Sequence, residues 1–387
     1  MVVGEEQGEM VSDVIGIGLV GQAFMGRAHA NAYRQARAFF GGEYRPSLRI
    51  ACGRDAAALG EFARRFGWEE TTTDWRVLVE HPAVDVVDIA ASNDLHAPVA
   101  IAAAQAGKAV FCEKPLARTI AEAREMLQAV ESAGVPHMVC FNYRFFPAVR
   151  LARELVEDGV VGRIRQFRAI YLQDWLRDPT TPASWRTNAE LAGMGALGDT
   201  SVHIVDMARY LVGEFEQVTG MLSTFVPERP LSNQSGRQQV AVDDAAAFLA
   251  RLAGGVSGVF ESTRMATGRK NFMHVELNGE RGSLYWNAED LNSLWVYTDD
   301  DPVRTRGFRR IVVTEAEHPW VAHWWPPGHI LGYEHSFVHA VVELMEAIGE
   351  GRTPRPSFRD GLQAQVVLDA VQRAAQSASW VAVPPVA

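Results

Sequence analysis

Cysteine is scarce: the 387-residue chain has three, Cys52, Cys112 and Cys140, with no CxxC or CxH spacing among them. That spacing excludes a disulfide framework and the usual cysteine-based metal sites, and it suits a reducing, cytoplasmic setting. Long apolar runs are missing too. No stretch approaches the ~18 residues that a membrane span needs, and the opening MVVGEEQGEMVS is acidic where a secretory leader would be basic. Residues 1–12 are therefore expected to form a flexible tail, and no membrane partner is expected. Positive charge is also in deficit. There are 37 Lys and Arg against 47 Asp and Glu, for a net charge of −10, and the basic residues are scattered. A nucleic-acid partner is not expected from such a surface.

What the chain does have is a 48% apolar composition and a length beyond one ordinary domain. From Asp13, short β-rich runs alternate with helical patterns: DVIGIGLV, FMGRAHANAYRQA, LRIACG, AAALGEFARRFG, VDVVDIA, HAPVAIAAAQAG, KAVFC, IAEAREMLQAVESAG and HMVCF. This is the rhythm of βαβ units building a parallel sheet. After Phe141 the strands follow one another more directly, as in IRQFRAIYL, AAAFLARLA, GVSGVFEST, FMHVELNG, GSLYWN and SLWVYT. That grammar predicts a mostly antiparallel sheet with helices on one face. The polar, turn-rich PERPLSNQSGRQQ reads as a surface loop.

A literal GxGxxG at Gly16, Gly18 and Gly21 leaves Val14 and Ile15 alone as its preceding strand. The shifted register Gly21-Gln22-Ala23-Phe24-Met25-Gly26 has the full run Val14 to Val20 before it and a helical pattern after it. We prefer the shifted register. In it Gly21 makes the tight turn, the small Ala23 lets backbone approach a pyrophosphate beside Phe24 and Met25, and Gly26 allows close helix–strand packing. The fold class expected is an α/β Rossmann dinucleotide-binding domain over 13–141. A substrate-binding α+β domain with a large, mostly antiparallel open sheet would follow over 142–387. At the end of the second strand, where a carboxylate would receive the ribose hydroxyls of NAD, the run IACGRD offers Arg54 and then Asp55. Arg54 suits a 2′-phosphate or an adenine face, so NAD and NADP both stay open.

Two constellations carry chemistry. AVFCEKPLA places Glu113 and Lys114 at the carboxyl end of a strand, and Pro115 forces the chain to turn there, toward the crevice where such sheets bind ligands. GMGALGDTSVHIVDMARYLVG reads as a loop feeding a helix on which Asp199 and His203 stand four apart and share a face. A carboxylate beside an imidazole fixes its tautomer and raises its proton affinity, which suits a general base acting on a hydroxyl. His318, His323, His329 and His335 lie close in sequence, but prolines break any helix that would align them and no metal is expected. Asn233 opens a glycosylation sequon that means nothing without a secretory leader.

These strings resemble the Gfo/Idh/MocA family of oxidoreductases over nearly the whole chain from Asp13. The likeness rests on the G-x-A-x-x-G turn with His29 three residues after Gly26, on SNDLHAPVAIAAAQAGKAVFCEKPLA, on FNYRF and on GALGDTSVHIVD. It implies that Lys114 is catalytic with Asp199 and His203 as partners, that the Lys114–Pro115 bond is cis, and that Ser92, Asn93, His96 and Glu113 lie near the cofactor. One departure is Ser92, where relatives often carry proline. Tyr143 and Arg144 are expected neighbours of the site. Within the family, YLQDW, SWR and DMARYLVGEF look like the levoglucosan dehydrogenase branch, which oxidises a secondary hydroxyl of an anhydro-sugar with a nicotinamide cofactor. Independently, Gln173, Asp174 and Arg186 beside Tyr171, Trp175 and Trp185 offer hydrogen bonds and flat apolar faces to a sugar ring. The expectation is an NAD(P)-dependent dehydrogenase of a neutral sugar, anhydro-sugar or cyclitol, assembled as a homo-oligomer, dimer or tetramer. Two rivals stand beside it: a relative that cleaves glycosidic bonds through transient oxidation by bound NAD, and a non-catalytic sugar- or NAD(P)-binding protein.

Overall fold

The computed structural model describes residues 14–42, 44–232 and 235–386, so the tail expected at 1–12 and Asn233 of the sequon lie outside the described residues. Six strands make the first sheet: β1 (Val14–Val20), β2 (Arg45–Cys52), β3 (Glu70–Thr72), β4 (Val86–Ile89), β5 (Ala109–Glu113) and β6 (His137–Cys140). All pair in parallel, in the order β3-β2-β1-β4-β5-β6. The connecting helices are α1 (Phe24–Phe39), α2 (Ala56–Phe66), α3 (Trp75–Glu80), α4 (His96–Gln105) and α5 (Ile120–Ala133). Helices on both faces explain why β4, β5 and β6 are buried along their whole length and read as continuous apolar runs. The strand order reverses between β1 and β4, which opens a crevice at their carboxyl ends.

The glycines settle the register. Gly16 lies inside β1, and a Cβ there would meet the Ala83 carbonyl oxygen at 1.8 Å, so it is a packing glycine. Gly21 follows the strand at φ 127° with the Ala90 carbonyl oxygen 2.4 Å from its hypothetical Cβ, and only glycine fits there.

The second part begins with α6 (Pro147–Glu157) and β7 (Ile164–Leu172), followed by α7 (Ala189–Ala192) and α8 (Val202–Leu211). The strands β8 (Phe215–Ser223), β9 (Glu228–Pro230), β10 (Arg237–Gln239), β11 (Ala245–Leu252), β12 (Val256–Thr263) and β13 (Phe272–Gly279) come next. Then follow β14 (Gly282–Asn287), β15 (Ser293–Thr298), β16 (Arg309–Val312), α9 (His335–Gly349), α10 (Phe358–Ser377) and β17 (Val381–Ala382). Nine of these strands form one sheet in the order β16-β15-β14-β13-β7-β12-β11-β8-β17, in which β7 and β12 run parallel and the other neighbours antiparallel. Alternation fixes its faces: Ala246, Phe248, Ala250 and Leu252 of β11 are buried while Leu249 is exposed. Helices α8 and α10 cover the buried face.

One reading of the sequence needs correction. PERPLSNQSGRQQ is not simply a loop, because β9 and β10 pair across it and its Arg229 is fully buried. That guanidinium donates to the carbonyls of Leu176 and Asp178, which pins the segment after β7. The two parts also share a core. Helix α9 returns to the first sheet, where Phe337, Val338 and Val341 share a core with Leu19 and Tyr33.

Candidate active site

At the first crevice, α1 begins at Phe24 with Ala23 as its N-cap, and no side chain caps it. The helix therefore presents unpaired amide hydrogens beside the Gly21 turn, and Gly26 packs against the Gly21 carbonyl to hold them there. Gln22 Oε1 is buried without a partner and would contact any side chain at position 53, which places a free acceptor beside the end of β2. An acceptor there suits a ribose hydroxyl. Arg54 is exposed at the same edge. Asp55 is committed elsewhere, because its carboxylate caps α2 by accepting from the amides of Ala57 and Ala58 at 3.0 Å. A dinucleotide thus fits the uncapped turn, the orphaned Gln22 acceptor and the crevice together.

A cavity of about 580 Å³ runs from this cradle to the large sheet. Phe24, Met25, Asn93, Glu113 and Lys114 line its near end. Ser92 and His96 do not line it. His96 is fully buried, and its Nδ1 lies 2.9 Å from the Pro115 carbonyl, so it braces the Glu-Lys-Pro turn from behind. Burial lowers its pKa and keeps it neutral.

Lys114 projects from the end of β5, and its peptide bond to Pro115 is cis. Its Nζ donates to Asp199 Oδ1 at 3.0 Å and to the Asp199 carbonyl at 3.1 Å. Asp199 does not sit on a regular α-helix. Leu197–Ser201 form a π-helical turn that runs into α8, and Asp243 shapes it by accepting from the amides of Gly195 at 2.9 Å and Leu197 at 2.7 Å. Burial pushes the Asp199 carboxyl up, but Lys114, Arg264 and Arg186 outweigh it and hold that carboxyl well below the usual range.

His203 lines the same cavity, edge-on to Tyr143 with ring centroids 4.8 Å apart. The expected carboxylate–imidazole hydrogen bond is absent: His203 Nδ1 is buried without a partner, and Asp199 spends its charge on Lys114. Nor is the proton affinity of His203 raised. Burial and then Lys114 push its pKa well below the ordinary value, and Asp199 offsets this in part. The imidazole is neutral and can take a proton.

Toward the large sheet, Tyr171, Gln173, Trp175 and Arg186 face the cavity. Tyr143 stands one layer behind them, its hydroxyl 2.7 Å from that of Tyr171. Tyr171 donates to Asn271 Oδ1 at 2.7 Å and Asn271 Nδ2 donates to Tyr143 at 3.1 Å, so the three close a ring of hydrogen bonds. Besides Tyr143, two expected substrate residues do not line the cavity. Asp174 points away and is buried on Lys270, at 2.8 Å, and on the Gly268 amide. Arg144 is locked on Asp206 at 2.6 and 2.8 Å, where it ties the start of α6 to α8 and lines no part of the cavity. Arg264, Lys270, Asn271 and Tyr333 line the cavity without having been anticipated. Arg264 is fully buried, its Nε lacks a partner and its Nη1 lies 3.9 Å from Asp199 Oδ2. The four histidines near residue 330 have separate local duties: His318 and His335 accept from nearby amides, His323 packs on Phe40 and His329 lies on the Pro326 carbonyl.

Comparison with known proteins identifies the family. Residues 15–141 match the model of an oxidoreductase family with an NAD-binding Rossmann fold, and residues 149–285 match the GFO/IDH/MocA C-terminal domain. The chain is similar to levoglucosan dehydrogenase of Pseudarthrobacter phenanthrenivorans, 43% identical over 96% of this chain and 99% of that protein. A solved levoglucosan dehydrogenase in complex with NADH and L-sorbose superposes with a TM-score of 0.94 at 44% identity, covering 96% of this chain and all of the other. An oxidoreductase domain protein from Kribbella flavida superposes with a TM-score of 0.93 at 52% identity, covering 96% and 99% of the two chains. The chain belongs to the Gfo/Idh/MocA family of NAD(P)-dependent oxidoreductases acting on CH–OH groups.

Proposed function

We propose that the enzyme oxidises a secondary hydroxyl of a neutral ring, a sugar, an anhydro-sugar or a cyclitol, with residues 13–141 holding the cofactor and 142–387 the substrate. The observation that carries this reading is the Lys114–Asp199 pair beside a neutral His203, set between a dinucleotide cradle and a pocket of tryptophans and amides. His203 takes the hydroxyl proton, and Lys114 donates a hydrogen bond to the oxygen as negative charge develops on it. Asp199 holds the ammonium in place. The nicotinamide, when bound, supplies the hydride acceptor. Trp175 and Trp185 offer apolar faces to the ring, while Gln173, Arg186 and Arg264 offer donors to its hydroxyls.

Charge supports a neutral substrate. Lys114, Arg186, Arg264 and Lys270 stand against Glu113, Asp199 and the Asp174 that pairs with Lys270, which leaves no concentrated basic site for a phosphate. Relatives solved with levoglucosan and with L-sorbose support the same class. The test is a panel of anhydro-sugars, monosaccharides, inositols, sugar phosphates and nucleotide sugars with NAD⁺ and NADP⁺, followed by nicotinamide absorbance. The highest kcat/KM is expected for a compact neutral ring. A sugar phosphate or nucleotide sugar ahead of every neutral ring would overturn the reading, and aglycone release without net cofactor reduction would favour glycoside cleavage instead.

A further inference from the structure

His29 takes no part in the steps above, yet it is fully buried between two carboxylates that lead to Lys114. Its Nδ1 lies 2.9 and 3.0 Å from the two carboxylate oxygens of Asp88 on β4, and its Nε2 lies 3.1 Å from Glu113 Oε1 on β5. Tyr33 of α1 donates to Asp88 at 2.9 Å, and Cys140 Sγ of β6 is 3.7 Å from His29 Nε2. Phe111 stacks on one face of the ring at 5.1 Å, and Phe337 of α9 closes on it at 5.5 Å. With both carboxylates ionised, each only accepts hydrogen bonds, and the arrangement then calls for a hydrogen on both ring nitrogens, an imidazolium. The chain of contacts continues. Glu113 Oε2 accepts from the Lys114 amide at 3.1 Å.

We propose that His29 is a positioning residue for Lys114: it ties Asp88 to Glu113, and Glu113 fixes the backbone from which Lys114 reaches Asp199. This rests on the reading of Lys114 as catalytic. Charge agrees with it. Burial alone would discharge His29, but Asp88 and Cys140 outweigh burial and raise its pKa well above the ordinary histidine value. Burial likewise pushes Glu113 up, and His29 and Lys114 outweigh it and hold the carboxyl low. His29, Glu113 and Cys140 also bring their ligand atoms within 4.8 Å of one another, a spacing that a transition metal would accept. A metal would take the place of the Nε2 hydrogen, which makes the two arrangements separable.

The experiment has two arms. In the ¹⁵N NMR spectrum of the histidine-labelled wild-type enzyme, His29, assigned by its loss in His29→Gln or His29→Asn, should show two protonated ring nitrogens at neutral pH, where an ordinary histidine is mostly neutral. A neutral or metal-bound ring would overturn the proposal. In kinetics, His29→Gln should lower kcat per bound cofactor by on the order of 10–10²-fold, with cofactor Kd and sugar KM within about 3-fold and a larger primary deuterium isotope effect. Unchanged kcat per bound cofactor beside an inactive Lys114→Met would sink the positioning role alone. Full turnover by Lys114→Met would remove the reading of the site and this inference with it.

Discussion

At the scale of the residue, the ammonium of Lys114 is answered at hydrogen-bond distance by Asp199, and it points into the cavity where an alkoxide would form. Lys114→Met keeps the stem and removes the charge. It should lower kcat by ~10²–10³-fold, the usual cost of losing a donor aimed at developing negative charge, while cofactor affinity measured by fluorescence stays nearly constant. His203 makes a second prediction. Because burial and Lys114 depress its pKa, it is already deprotonated at neutral pH, so the acid limb of kcat/KM for oxidation should lie well to the acid side of the ordinary histidine value of about 6.5. A limb near 6.5 that His203→Ala abolishes would show that the imidazole titrates freely. A third concerns the cofactor. Arg54 is exposed at the end of β2, so Arg54→Ala should weaken NADP⁺ more than NAD⁺ in titrations, by about 1.5–3 kcal/mol for a lost charged hydrogen bond. Lys114, Asp199 and His203 were legible because each sits in a local string with its own turn signal. Asp174 was misread because it lies past the end of β7, where strand alternation no longer tells which way a side chain points, and its carboxylate is taken by Lys270 and the Gly268 amide.

At the scale of the element, the stretch GALGDTSVHIVD shows how far local pattern reaches. Its apolar periodicity announces a helix, and a helix is there. The π-helical turn at Leu197–Ser201 is not in the periodicity, because it depends on Asp243, which arrives from the segment before β11. Gly195 is needed for the same reason, since a Cβ there would meet the Asp243 carbonyl oxygen at 1.8 Å. Asp243→Ala would leave the amides of Gly195 and Leu197 without acceptors. We expect a loss of about 3 kcal/mol in urea unfolding, in line with hydrogen bonds to a charged group, together with reduced kcat as Asp199 loses its registration on Lys114. Unchanged stability would mean that solvent replaces the carboxylate. The strands of the large sheet were mostly readable from alternation. Their order was not, and so Arg264 after β12 and Asn271 before β13 went unnoticed: they reach the cavity only because β7, which pairs with both strands, brings their ends beside Tyr171.

At the scale of the whole molecule, the two sheets are joined by buried polar groups as well as by apolar packing, and several are histidines held neutral. His339 shows how: its Nδ1 lies 2.8 Å from the Phe145 carbonyl and Nε2 accepts from Trp324 Nε1 at 2.8 Å, which fixes one neutral tautomer. Burial pushes its pKa down to about 3 and that of His137 down to about 4, and it lowers His96 and His203 as well. In the unfolded chain each would titrate near 6.5. Below that pH the unfolded state binds protons that the folded state refuses, so each of these four groups contributes stability that is present above 6.5 and lost as pH falls. His29 has the opposite sign, since its raised pKa gives stability that is fully present below 6.5 and lost as pH rises through its folded value. Burial lowers His274 and His335 too, so six groups against one leave the acid direction destabilising, by up to about 1.4 kcal/mol per pH unit for each net proton. The urea midpoint should therefore fall between pH 7 and pH 5, before the carboxylates titrate. His339→Gln, which can still donate to Phe145, should make that fall shallower, and a midpoint independent of pH over this range would show that these histidines are not held neutral in the folded state.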